Sequence, residues 1–209
     1  MQKKGKYAIM TKILEESYMK KNNKLTAYKL VLTALLAALT YISSSFFRIT
    51  LPISIGGTTS FHLGNIFCAL SGILLGPWLG GLSAGIGSMI CDLLNPLYIS
   101  EFWITFLTKG LIGLMAGLCT HWGSKKWGYG KATLGAAVGA VSYLLVYLAK
   151  SYFYNGLFLK GLTPEAALAS TLARVPLSSF NAIMAIIFAP MIAVAVDKAL
   201  RRANLSIDR

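Results

Sequence analysis

Ten polar or charged side chains stand where an apolar chain has little use for them. His62 and Asn65 open the apolar run SFHLGNIFCALSGILLGPWLGG. Asp92 and Asn95 close the next run, and Glu101 opens the one after it. Lys109, Lys150 and Arg174 lie in or near apolar spans, and Tyr147 and Tyr154 accompany Lys150. Ionisable groups in a membrane span are costly and face a cavity or a partner. These residues suit solute recognition: several donors and acceptors, a few charges and phenol rings. They do not suit catalysis. No GxxxxGK[ST], HExxH or GxSxG occurs, and no paired catalytic carboxylates share a helix. No catalytic residue, cofactor or metal site is expected. The two histidines, His62 and His121, are predicted at opposite membrane faces, which disfavours a His-based metal site.

The elements that position these residues follow from composition. Of 209 residues, 56% are hydrophobic and 13% charged, about half the charge of a soluble domain. An all-α integral membrane protein is expected. A span takes about 20 apolar residues, and six candidates emerge: 27–47, 61–75, 79–94, 102–122, 132–153 and 166–196. The second and third are short and glycine-rich. The sixth is long and holds Pro176 and Pro190, which predicts a kink or a start outside lipid.

The net charge of +13 would suggest nucleic acid in a soluble protein. Here the basic residues cluster between apolar runs, so they set orientation instead. Fifteen of the 20 Lys and Arg fall in the N-terminal segment, the loop between spans four and five, and the C-terminal tail. By the positive-inside rule those regions are cytoplasmic, and an even span count agrees. The organisation is then a basic segment over 1–25, a six-helix bundle over 26–197 and a tail over 198–209. The first segment reads equally as an interfacial helix or a disordered tail. It has no signal-peptide pattern, so the first span is expected to act as an uncleaved anchor. Cys68, Cys91 and Cys119 lie in apolar stretches and read as small hydrophobes.

This orientation puts the misplaced polar residues at one level. Lys109 lies about seven residues into its span, roughly 10 Å deep. That is too deep to reach the headgroups, so a pocket or an ion pair with Asp92 is expected. Plainer roles remain for the others: Lys150 at the headgroups, Arg174 there or paired with Glu101 or Asp92, His62 and Asn65 capping their helix. Their common depth favours a solute pocket opening outward. Small-residue faces predict close packing within the bundle. They include Gly81, Gly85 and Ser88, Gly110, Gly113 and Gly117, and GAAVGA. On the first helix, Ala34 and Ala38 form another such face, suited to this bundle or to an external helix.

The run FHLGNIFCALSGILLGPWLGGLSAGIGSMICDLLNP, followed by FWITFLTKGLIGLMAGL, resembles the substrate-binding S component of energy-coupling factor (ECF) vitamin transporters. The resemblance is close over residues 61–118 and looser elsewhere. It implies six helices in a prokaryotic plasma membrane, both termini cytoplasmic, and capture of a water-soluble vitamin from outside. It implies partners: a membrane coupling (T) protein docked on the AxxxA face at Ala34 and Ala38, and two ATPase subunits. It implies a lid in the loop FFRITLPISIGGTTS, with Arg48 in it and mobility from Gly56 and Gly57. The FHLGN and TF..K elements look most like members assigned to pyridoxine or hydroxymethylpyrimidine, whose rings would suit His62, Asn65, Tyr98, Trp103 and Tyr154. Pantothenate, folate and cobalamin are the other vitamins in view. From the residues, the rivals are a secondary transporter coupled through Asp92 and Lys109, or a membrane scaffold.

Overall fold

The computed structural model describes residues 27–53, 57–123 and 127–203. The basic segment 1–25, Gly56 and the last six residues lie outside them. Helix α1 (Ala27–Phe46) is followed by strands β1 (Ile49–Ile53) and β2 (Gly57–Phe61). Then come α2 (Gly64–Leu75), α3 (Pro77–Leu93), a 3-10 turn (Ile99–Glu101), α4 (Phe102–His121) and α5 (Tyr129–Lys150). A π-helical stretch (Ser151–Leu159), α6 (Pro164–Leu172) and α7 (Val175–Arg202) complete the described chain. Among the described residues, four helical segments are long and apolar enough to cross a membrane: Ala27–Phe46, Ile99–His121, Tyr129–Leu159 and Pro164–Arg202.

Helix α2 is short because it is central. It packs against α3, α4, α5 and α7, and ten of its 12 residues are buried. A helix apolar all round belongs inside a core. Gly76, at φ 81°, turns the chain from α2 into α3, a left-handed conformation that disfavours a side chain. Pro77 then starts α3 with its φ already helical.

Away from the polar level the helices touch backbone to backbone. A Cβ on Gly72 would meet Gly113 O at 2.2 Å, and one on Gly113 would meet Gly80 O at 2.5 Å. Helix α3 meets α1 in the same way: a Cβ on Gly87 would meet Ala37 O at 2.3 Å, and Ser83 Oγ donates to Thr33 O at 3.0 Å. The core between these contacts is filled by Leu70, Ile73, Ile112, Ala116 and Ala136. Ala34 and Ala38 lie exposed on the outer side of α1.

Two expectations need correction. Most of the stretch 47–60, expected as a loop, forms an antiparallel hairpin that pairs Ile49 with Phe61 and Leu51 with Thr59. The fifth helix does not end at 153 but continues, in π form, to Leu159. The sixth is interrupted, as its prolines predict, by a break at Ala173–Arg174, just before Pro176 in the first turn of α7. Pro lacks an N–H, so it is tolerated at a helix start. Pro190 is accommodated inside α7.

Candidate functional site

A cavity of about 330 Å³ lies where the ends of α1, α3 and α5, the starts of α4 and α7, and the hairpin converge. Of the residues singled out from the sequence, His62, Asp92, Tyr98, Glu101, Lys109, Tyr147, Arg174 and Arg48 line it. Asn65 stands directly behind Lys109. Three others are placed elsewhere. Asn95 accepts from Leu97 N–H in an exposed turn at 3.0 Å. Trp103 and Tyr154 stack edge-on at 5.8 Å outside the cavity, with Tyr154 also against Phe158. Gly57 begins β2.

The charges are partnered differently from expectation. Asp92 pairs with Arg48 at 3.5 Å, not with Lys109. Arg48 also donates to Ser44 O at 3.0 Å and lies 4.8 Å from the Tyr98 ring centroid. Glu101 pairs with Lys150, so neither carboxylate engages Arg174, and Lys150 is tied inward instead of reaching for headgroups. Residue depth was readable from the sequence; the side of the helix each residue occupies was not.

Lys109 is 7% exposed. Its Nζ donates to Asn65 Oδ1, faces His62 Nε2 at 3.3 Å and lies 4.2 Å from the Tyr143 ring centroid. An ammonium carries three donors and no acceptor, and the ring face supplies a cation–π contact. His62 and Asn65 therefore hold a cation and do not cap α2, whose N-cap is Leu63 with no side-chain bond. Tyr143 stacks on Tyr147 at 5.5 Å. One wall of the cavity thus offers a buried cation beside aromatic surface.

The hairpin forms another wall through Thr58, Thr59 and Ser60. Helix α7 holds it. Arg174 Nη1 donates to Thr58 O at 2.8 Å, and Asn181 Nδ2 donates to Ser60 O at 2.9 Å. Asn181 Oδ1 in turn accepts from His62 N–H at 3.3 Å. The Tyr98 hydroxyl lies 3.2 Å from both Thr58 Oγ1 and Ser60 Oγ.

Sequence reasoning missed Tyr143 and Asn181 altogether. Tyr143 lies four residues before Tyr147, one helical turn along the same face, and that spacing could have revealed it. Asn181, an amide within an apolar helix, carried the same signal as Asn65. Asn155, next to Tyr154 in the chain, lines the cavity while Tyr154 does not.

Residues 24–198 match the model of the family described as "ECF-type riboflavin transporter, S component". The chain belongs to this family of ECF S components and is a multi-pass membrane protein of vitamin uptake. A protein of Pyrococcus woesei described as "Uncharacterized protein in gap 3'region" is 31% identical over 116 residues, covering 55% of this chain and 72% of that one. Among solved structures, the S component for biotin from an ECF-type ABC transporter superposes with a TM-score of 0.55. It is 18% identical, with 81% of this chain and 93% of that chain covered, so the likeness is one of fold.

Proposed function

We propose that this chain captures a small heteroaromatic vitamin of the pyridoxine or hydroxymethylpyrimidine kind from outside a prokaryotic plasma membrane. It delivers that vitamin with a T protein and two ATPase subunits. The observation that carries the ligand class is the Lys109 centre. A buried cation held by Asn65 and His62, beside the stacked pair Tyr143 and Tyr147, presents a hydrogen-bond donor next to a ring-sized aromatic surface. A cavity near 330 Å³ is at the small end of ligand sites, which favours one or a few fused rings over a corrinoid. The description of the family favours a second reading, a flavin ring in the same place.

In this proposal the bundle has six spans, with α2 and α3 as the short ones, and cytoplasmic termini. The hairpin is the lid, and Ala34 and Ala38 form the docking face on α1. The secondary-transporter alternative loses its coupling pair, since Asp92 is bound to Arg48.

Two measurements test the proposal. The chain is purified from cells grown in rich medium and denatured, and the released small molecules are identified by mass spectrometry. A stoichiometric pyridine or pyrimidine vitamin is expected; a flavin selects the second reading. In the second, Ala34→Trp with Ala38→Trp is expected to abolish uptake and assembly with the T protein while ligand binding persists. Uptake that survives both substitutions removes the docking assignment.

A further inference from the structure

Five cationic side chains line the cavity: Arg48, Lys109, Lys150, Lys160 and Arg174. They face two carboxylates, Asp92 and Glu101, which are taken by Arg48 and Lys150. Lys109 stands among neutral groups and an aromatic face. Arg174 is the unusual member. It is 6% exposed, and among the described residues no carboxylate lies within ion-pair distance of it. Its Nη1 is used by a neutral carbonyl, Thr58 O, and its buried Nε has no hydrogen-bond partner. A buried guanidinium without a counter-charge is costly, and its planar fork is shaped for a carboxylate or phosphate.

A second group stands unsatisfied among the residues that line the cavity. Asn155 is 8% exposed, lines the cavity, and its Oδ1 has no partner. It sits on the π-helical stretch, whose wider i→i+5 turns keep Ser151, Asn155 and Leu159 close to one face. Gly156 lets α6 support that stretch from behind, where a Cβ would meet Ala167 Cβ at 2.7 Å. The amide offers both a donor and an acceptor, as an acidic substituent with a neighbouring hydroxyl would require.

Resting on the vitamin-capture reading above, we infer that the ligand carries an acidic group, a carboxylate or a phosphate, received by Arg174 with Asn155 beneath the hairpin. The ring is held at the Lys109 centre and the acid at Arg174. Because the same guanidinium binds Thr58 O, the acid and the hairpin share one anchor.

The experiment is a paired affinity measurement by calorimetry on the purified full chain at neutral pH. Pyridoxine is compared with pyridoxine 5′-phosphate and 4-pyridoxate, and riboflavin with riboflavin 5′-phosphate. The acidic member of the series that binds is expected to be tighter by about tenfold or more, the range for hydrogen bonds to charged groups. Arg174→Gln is expected to bring that ratio close to one, and Arg174→Lys to keep part of it. Asn155→Asp, which places a like charge beside the acid, is expected to lower the ratio as well. It decides the matter if Arg174→Gln does not fold. Equal affinity for acidic and neutral members in the wild type overturns the inference and leaves the vitamin reading standing. A preference that persists in folded Arg174→Gln, or in Asn155→Asp when Arg174→Gln does not fold, also overturns it. If the folded wild type binds no member of either series, the inference falls, and the vitamin reading is decided by the released-ligand experiment above.

Discussion

The two ends of the bundle are built on opposite rules. At one end Gly72, Gly80, Gly113 and Gly117 bring α2, α3 and α4 into backbone contact, with Leu70, Ile73 and Ile112 filling the remaining space. At the other, α3 and α4 carry Asp92 and Lys109 into the lining of a cavity, while α2 sets Asn65 behind Lys109. Small residues where helices must meet and large polar ones where they must not let one set of helices serve both as scaffold and as site. Substitutions at the first end should therefore damage folding, and those at the second should damage recognition and spare the fold.

The sharpest way to break this contrast is Gly113→Leu. The first added carbon already meets Gly80 O at 2.5 Å, and its nearest neighbours are all backbone atoms of Gly80 and Gly81. Overpacking costs about 1–3 kcal/mol and occasionally more, and a backbone clash belongs at the upper end. Loss of the monodisperse protein in detergent, or a large fall in its unfolding temperature, is expected. A wild-type unfolding temperature would mean that the close end is not the scaffold. Lys109→Met comes next. It removes the donor that Asn65 Oδ1 accepts from and leaves that oxygen buried. Ligand affinity should fall by about 1–3 kcal/mol in titration calorimetry, while the unpaired Asn65 oxygen lowers the unfolding temperature of the ligand-free protein by less than Gly113→Leu does. Unchanged affinity would move the ring to another wall. The smallest effect is expected of Tyr98→Phe, which deletes the hydroxyl shared by Thr58 and Ser60. A cost of about 0.5–1.5 kcal/mol should appear mainly as faster ligand dissociation in stopped flow.

Much of the scaffold end could be read from the sequence, because small residues at helical spacing have few other uses in an apolar helix. The polar end was legible in depth but not in angle. Lys109 and Asp92 are at similar depths, yet Arg48 reaches Asp92 from the end of α1, and no spacing argument carries that information. The hairpin did leave a signal. ITLPI and GTTSF are short, rich in Ile and Thr, and separated by the three residues Ser54, Ile55 and Gly56, a spacing with a glycine that favours a hairpin. Reading Gly56 and Gly57 only as a source of mobility concealed it. The π-helical continuation left none, because Asn-Gly at 155–156 looks like a turn and only the packing of α6 keeps the helix going.

That hairpin changes the thermodynamics of capture. Immobilising one residue's backbone costs about 1–2 kcal/mol. Ordering a disordered lid of ten residues on each binding event would consume on the order of 10 kcal/mol, more than the whole free energy of a micromolar complex, about 8 kcal/mol. Strands β1 and β2 are already paired in register, so that entropy is lost once, at folding. In the proposed lid role, the free energy of the ligand's contacts is then left to appear as affinity.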